Sequence, residues 1–179
     1  MSELTDPHSD DTPDVVAAPE AAAGSGLAAE KERRLGLVEA MRESGDNPYP
    51  YRFDRTHTLA EIRATWGHLE AGTETENEVA IAGRIMLKRE QGKLIFGTVR
   101  DRSSDIQLFV SKAVIGDDGF ADVASLDLGD WVGVYGNVMT TRKGELSIKV
   151  SRLELLSKAV RPLPNKWKGL TDTDTRFRQ

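Results

Sequence analysis

"GKLIFGTVRDRSSDIQLFVS", residues 92–111, reads as two strands joined by a short polar turn. Apolar residues alternate with others on both sides of the "DRSSD" turn, the pattern of a half-buried hairpin. Yet the hairpin also carries an aromatic (Phe96), two arginines (Arg100, Arg102) and a lone amide (Gln107), where core filling alone would need none of them.

Working outward, "EVAIAGRIMLKRE" (78–90) alternates Val79, Ile81, Ile85 and Leu87 against Ala80, Ala82, Arg84, Met86 and Lys88, which places the first set in a core. "DWVGVYGNVMTT" (130–141) and "ELSIKVSRLELLS" (145–157) bring the strand candidates to five. "FADVASLDLGD" (120–130), between the third and fourth, is about one short helix long. Five strands with a helix between the third and fourth is the layout of an oligonucleotide-binding (OB-fold) barrel. Gly83, Gly97, Gly133 and Gly136 inside strands suit the sharp coiling of a small closed barrel. A small β-sandwich shares the same periodicity.

Before the strands, the period is helical. "LAAEKERRLGLVEAMRESG" (27–45) sets Leu35, Val38 and Met41 on one face, with Gly45 as a stop. The prolines of "NPYPY" (47–51) force an extended passage. In "THTLAEIRATWGHLEAG" (56–72), Thr58 and Glu61 form a capping box, Leu59, Ile62, Trp66 and Leu69 mark the buried face, and Gly72 ends the helix. The reading is thus mainly β with flanking helices: residues 1–28 a disordered acidic tail, 29–73 a helical segment, 74–160 the barrel and 161–179 a basic, Pro-punctuated linker.

Charge is unevenly spread. The net charge is −5, but the first 30 residues hold seven acids and no Lys or Arg, leaving 22 acids against 24 bases in the remainder. A mildly basic body permits nucleic-acid binding without demanding it. The absence of cysteine excludes disulfides and thiolate metal sites and fits the cytoplasm. His8, His57 and His68 show no metal-ligand spacing, no Gly-rich phosphate loop follows a strand, and no catalytic set emerges. The pattern is that of a binding module, with no cofactor and no metal of its own.

Small barrels of this type bind single strands across strands two and three. They need an aromatic to stack a base, polar groups to read its edge and cations near the phosphates. Phe96 and Gln107 lie on adjacent strands, and an exposed carboxamide can pair with a uracil edge. Arg84, Lys88 and Arg89 on the first strand, and Arg142 and Lys143 in the last hairpin, would ring that surface. Glu145 would supply an acceptor for base N–H groups. Each has an ordinary reading too: Phe96 as core, Gln107 as a solvated strand residue, Glu145 as part of a turn, the cations as surface charges. The combination on one face is what points to RNA.

Taken together, "AIAGRIMLKREQGKLIFGTVRD", "IQLFV", "LGDWVGVYGNV", "TRKGELSIKV" and "LELLSKAVRPLPNKWKGLTDTDTRFRQ" closely resemble the bacterial class II lysyl-tRNA synthetases over about residues 31–179. The segment with "GR", "GK", "F", "D" and "IQ" is shared with the aspartyl and asparaginyl relatives, whereas "RPLP" through "RFRQ" is typical of the lysine enzymes. The resemblance implies the N-terminal anticodon-binding domain of a lysine–tRNA ligase. It further implies that Phe96 stacks the middle anticodon base, Gln107 bonds its edge, Lys88 or Arg89 lies close by, and Glu145 helps read an adjacent base, while Arg84, at the "GR" position, is a lesser candidate of the same site. The implied partners are the anticodon loop of lysine tRNA and a second subunit of a cytoplasmic homodimer. ATP and Mg2+ would belong to the parent enzyme's catalytic domain, which is expected to lie beyond Gln179, so the chain reads as a fragment. A free-standing RNA-binding OB-fold module without synthetase activity is the alternative. A third reading is protein association through Leu35, Val38 and Met41.

Overall fold

The computed structural model describes residues 20–163; the first part of the acidic tail and most of the linker lie outside the described residues. Helix α1 (Glu20–Glu43) begins inside the stretch assigned to the tail, where "EAAA" has high helix propensity. Its buried face also differs from the expected one. Arg34 and Val38 are buried and Met41 half-buried, while Leu35 is 40% exposed. Arg34 takes the inner position because it finds partners there: its guanidinium donates to the carbonyls of Leu128 (3.1 Å) and Ala159 (2.9 Å) and to Glu30 Oε1 (2.7 Å). A buried cation is tolerated only when hydrogen-bonded in this way.

Helix α2 (Leu59–Trp66) carries the expected capping box and buries Leu59 and Ile62. It ends at Trp66 and not at Gly72, which turns the chain at φ 83° just before the first strand. The strands are β1 (Glu74–Gln91), β2 (Leu94–Arg100), β3 (Asp105–Ser111), β4 (Trp131–Thr140) and β5 (Leu146–Ser157). Helix α3 (Lys112–Ser125), kinked at Gly116 where φ is 81°, joins β3 to β4. It starts well before the "FADVASLDLGD" stretch. The strands close into a barrel in the order β1-β2-β3-β5-β4, antiparallel except for the β3–β5 pair.

The core holds Ile81, Ile95, Val99, Ile106, Val132 and Ile148, all fully buried, with Leu59 and Ile62 from α2 and Phe120 and Val123 from α3 packed onto them. Gly136 lets β4 close on β5: a Cβ there would come within 2.2 Å of the Lys149 carbonyl oxygen. At the base of the barrel, Asp130 is wholly buried and accepts from Lys158 Nζ (2.8 Å), the Ala159 N–H (2.8 Å) and the Asp127 N–H (2.8 Å). Asp127 in turn accepts from Lys158 (2.7 Å) and from Arg33 of α1 (2.7 Å). This network fastens α1 to the barrel. None of the described helices is long and apolar enough to cross a membrane.

The alternation of β1 breaks in one place. The β1–β2 register slips between Ile85 and Leu87, so Met86 is an extra residue. A one-residue bulge exchanges the two faces of the strand beyond it. Leu87, expected in the core, is therefore 39% exposed, and Lys88 turns inward.

Candidate nucleic-acid interface

Burial alternates strictly along β2 and β3: Ile95, Gly97 and Val99 face in, as do Ile106, Leu108 and Val110. The other phase of both strands faces out. Phe96 pairs with Phe109, and Thr98 with Gln107, so Phe96 and Gln107 are diagonal neighbours on the same outer face. The rings of Phe96 and Phe109 meet edge to face, centroids 5.5 Å apart and planes at 68°. Both are half-buried, leaving apolar ring surface open.

This face is the floor of a groove of about 760 Å³, whose lining includes Arg89, Phe96, Gln107, Phe109, Arg142 and Glu145. Arg89 is exposed and lies opposite Phe96 in the β1–β2 ladder, which puts it at the edge of the aromatic pair. The hairpin joining β4 to β5 forms the far wall with Arg142 and Lys143. Two acids also line the groove, and one of them, Glu74, is paired with Lys149 at 2.6 Å. The other, Glu145, stands 3.9 Å from Arg63 of α2 with its carboxylate half exposed. Arg63 is itself anchored to Asp105, donating from Nε to the carbonyl at 2.7 Å. The balance leaves a mild excess of positive charge.

Gln107 is held at its amide: Nε2 donates to Ser147 Oγ at 2.9 Å, and Ser147 Oγ donates to the Glu145 carbonyl at 3.0 Å. Of the other puzzle of the hairpin, Arg100 ends β2 and Arg102 lies in the turn, and neither lines the groove. Arg100 pairs with Asp105 at 2.9 Å. The turn also caps α2: Asp101 accepts from the Leu59 N–H at 3.1 Å, and Ser103 Oγ from the Ala60 N–H at 3.1 Å.

Two expected contacts are not on this face. Lys88, turned inward by the bulge, donates its ammonium to the carbonyls of Val123, Ala124 and Leu126 at the end of α3. Burial there pushes its pKa below the usual lysine range. Arg84 precedes the bulge and donates to the Gly129 carbonyl at 3.1 Å, with its guanidinium 5.4 Å from the Trp131 ring. Both are tied into the barrel's own structure. Phe96, Gln107, Arg89 and Glu145 are brought together in the lining of one groove.

Three residues that the sequence reading leaves out touch those side chains: Phe109 lines the groove beside Phe96, Ser147 accepts from Gln107, and Arg63 stands near Glu145. Phe109 had a signal, since it follows Gln107 by two residues and so shares its outward phase. Ser147 had none, because its place opposite Gln107 comes from the parallel β3–β5 pairing, which strand periodicity does not disclose.

Residues 79–156 match the family model described as an OB-fold nucleic acid binding domain of the tRNA anti-codon type. Lysine–tRNA ligase of Synechococcus sp. (strain CC9311) is 46% identical over 150 residues, covering 83% of this chain and 30% of the relative. The lysine–tRNA ligase of Enterococcus faecalis (strain ATCC 700802 / V583) is 44% identical over 148 residues, 82% of this chain and 30% of the relative. That of Prochlorococcus marinus (strain MIT 9313) is 40% identical over 164 residues, 87% of this chain and 32% of the relative. The chain thus spans about a third of the length of these curated relatives. The likeness to the anticodon-type OB-fold model thus covers residues 79–156, and over most of its own length the chain is similar to the lysine–tRNA ligases.

Proposed function

We propose that the barrel binds the single-stranded anticodon loop of lysine tRNA, as the tRNA-recognition part of a lysine–tRNA ligase. The observation that carries this is the outward aromatic pair Phe96–Phe109 beside the Gln107 amide, in one groove edged by Arg89, Arg142 and Lys143. An unpaired base stacks on Phe96, and the Gln107 carboxamide pairs with its edge. Arg89, Arg142 and Lys143 neutralise the phosphates as the strand passes. Glu145, which can only accept, takes an N–H from a neighbouring base.

In the parent enzyme, lysine would be activated with ATP and transferred to the tRNA, in the cytoplasm and in a homodimer. ATP and Mg2+ would belong to that enzyme's catalytic part.

The test is titration of the 179-residue chain with RNA stem-loops that differ only in the loop triplet. Preference for the uridine-rich lysine anticodon over other triplets is expected. Equal affinity for all of them, or none for any, overturns the proposal.

A further inference from the structure

Ser147 has no exposed surface and stands in the barrel wall behind the groove, opposite Gln107 in the β3–β5 ladder. Its hydroxyl carries a single proton, and that proton is committed: Oγ donates to the Glu145 carbonyl at 3.0 Å. Toward Gln107, Oγ can then only accept. It therefore binds the amide nitrogen, at 2.9 Å, and not the amide oxygen. The free end of the carboxamide meets the groove with Oε1 and the remaining N–H in one fixed order.

That order has a chemical consequence. Uracil offers an N3–H donor flanked by carbonyl acceptors. Cytosine offers an N3 acceptor beside an amino donor. For a base held in one position by stacking and phosphate contacts, the two pyrimidines require opposite amide orientations. A carboxamide free to turn over serves both, and a locked one serves only one.

We propose that Ser147 is a positioning residue that sets uracil-over-cytosine selection in the groove by locking the Gln107 amide through its Nε2. This rests on the RNA-binding reading above. Ser147 itself touches no base, since Gln107 stands between it and the groove. It acts on selectivity and leaves stacking and phosphate attraction alone.

The test uses the full chain and two RNA stem-loops that differ by one uracil-to-cytosine change in the middle of the loop triplet. A good two-point base contact discriminates by about 5- to 150-fold, which is the ratio expected for the unaltered chain. Ser147→Ala is expected to lower that ratio by about 5-fold or more, chiefly through gained affinity for the cytosine loop. In a Gln107→Ala background no amide is left to orient, so adding Ser147→Ala should leave the ratio unmoved. An undiminished ratio in folded Ser147→Ala, or an equal loss for both RNAs, overturns the lock. The unaltered chain supplies a second readout by NMR. One of the two Gln107 side-chain amide protons should be protected from solvent exchange, and two protons that exchange alike overturn the lock without any variant. Failure of the unaltered chain to bind either RNA overturns the groove reading itself and is thereby told apart.

Discussion

Phe96 and Phe109 meet edge to face across the β2–β3 ladder, ring centroids 5.5 Å apart, so one ring braces the other on the outer wall of the barrel. The contact has the edge-to-face geometry that aromatic pairs prefer, and it orients the ring proposed to stack a base. Stacking of a base on an aromatic is worth about 1–3 kcal/mol. Phe96→Ala should therefore weaken binding of the lysine anticodon stem-loop by about 5- to 150-fold. Phe109→Ala removes the brace and should cost less, about 2- to 12-fold, in line with the 0.5–1.5 kcal/mol of an aromatic pair. Unchanged binding by Phe96→Ala, with the fold intact by circular dichroism, would exclude this wall as the stacking surface.

Lys88 and Arg89 are neighbours in sequence with opposite fates, and the pair of substitutions separates a structural cation from a phosphate contact. Arg89→Ala should reduce the slope of log affinity against log salt by about 0.7 for a single-stranded ligand. Lys88→Met should leave that slope alone. Its cost should appear in urea unfolding instead, at about 1–3 kcal/mol, since three carbonyls at the end of α3 lose their donor. A changed salt slope for Lys88→Met, with no loss of stability, would place Lys88 back in the groove.

The difference between these two residues also marks where reading from sequence stops. The five strands, the capping box of α2 and the outward phase of Gln107 all follow from local rules of spacing and burial. Met86 carries no local signal of being an extra residue, because a bulge is selected by pairing with β2 and not by β1 alone. Everything on β1 after it is therefore read in the wrong phase, and Leu87 and Lys88 exchange places. The helix α1 fails for a related reason. Leu35 looked like the buried residue by hydropathy, but the carbonyls of Leu128 and Ala159 select Arg34 for the inner position. Those acceptors are supplied by chain almost a hundred residues away or more.

The network at the barrel base predicts a large stability effect. Lys158 is buried between Asp127 and Asp130, and Asp130 has no access to solvent. Removing one partner of a buried pair typically costs about 3–5 kcal/mol, because the remaining charge is left uncompensated. Lys158→Met should lower the unfolding free energy by about that amount in a urea titration. A loss under about 1 kcal/mol would mean that water reaches the pair, as it does at surface ion pairs.

Acid should release the same network, and with it the turn that caps α2. For Asp127, burial raises the pKa, but hydrogen bonds from Lys158 and Arg33 outweigh it and hold the carboxyl below its usual value. For Asp101, burial again pushes upward, and bonds from Ser103, Leu59 and Ser104 prevail. Glu30, bonded by Arg33 and Arg34, is lowered to about 2. A carboxyl depressed in the folded state binds fewer protons there than in the unfolded chain, whose value is about 4. Its stabilisation is complete above that value and is lost as pH falls through the folded one. The urea midpoint should therefore stay nearly level from about pH 7 to 5 and decline below about 4. Lys158→Met, which frees Asp127 from its first partner, should flatten that decline as well as lower the whole curve. An equal fall with acid in both proteins would show that Asp127 is not among the groups that set it.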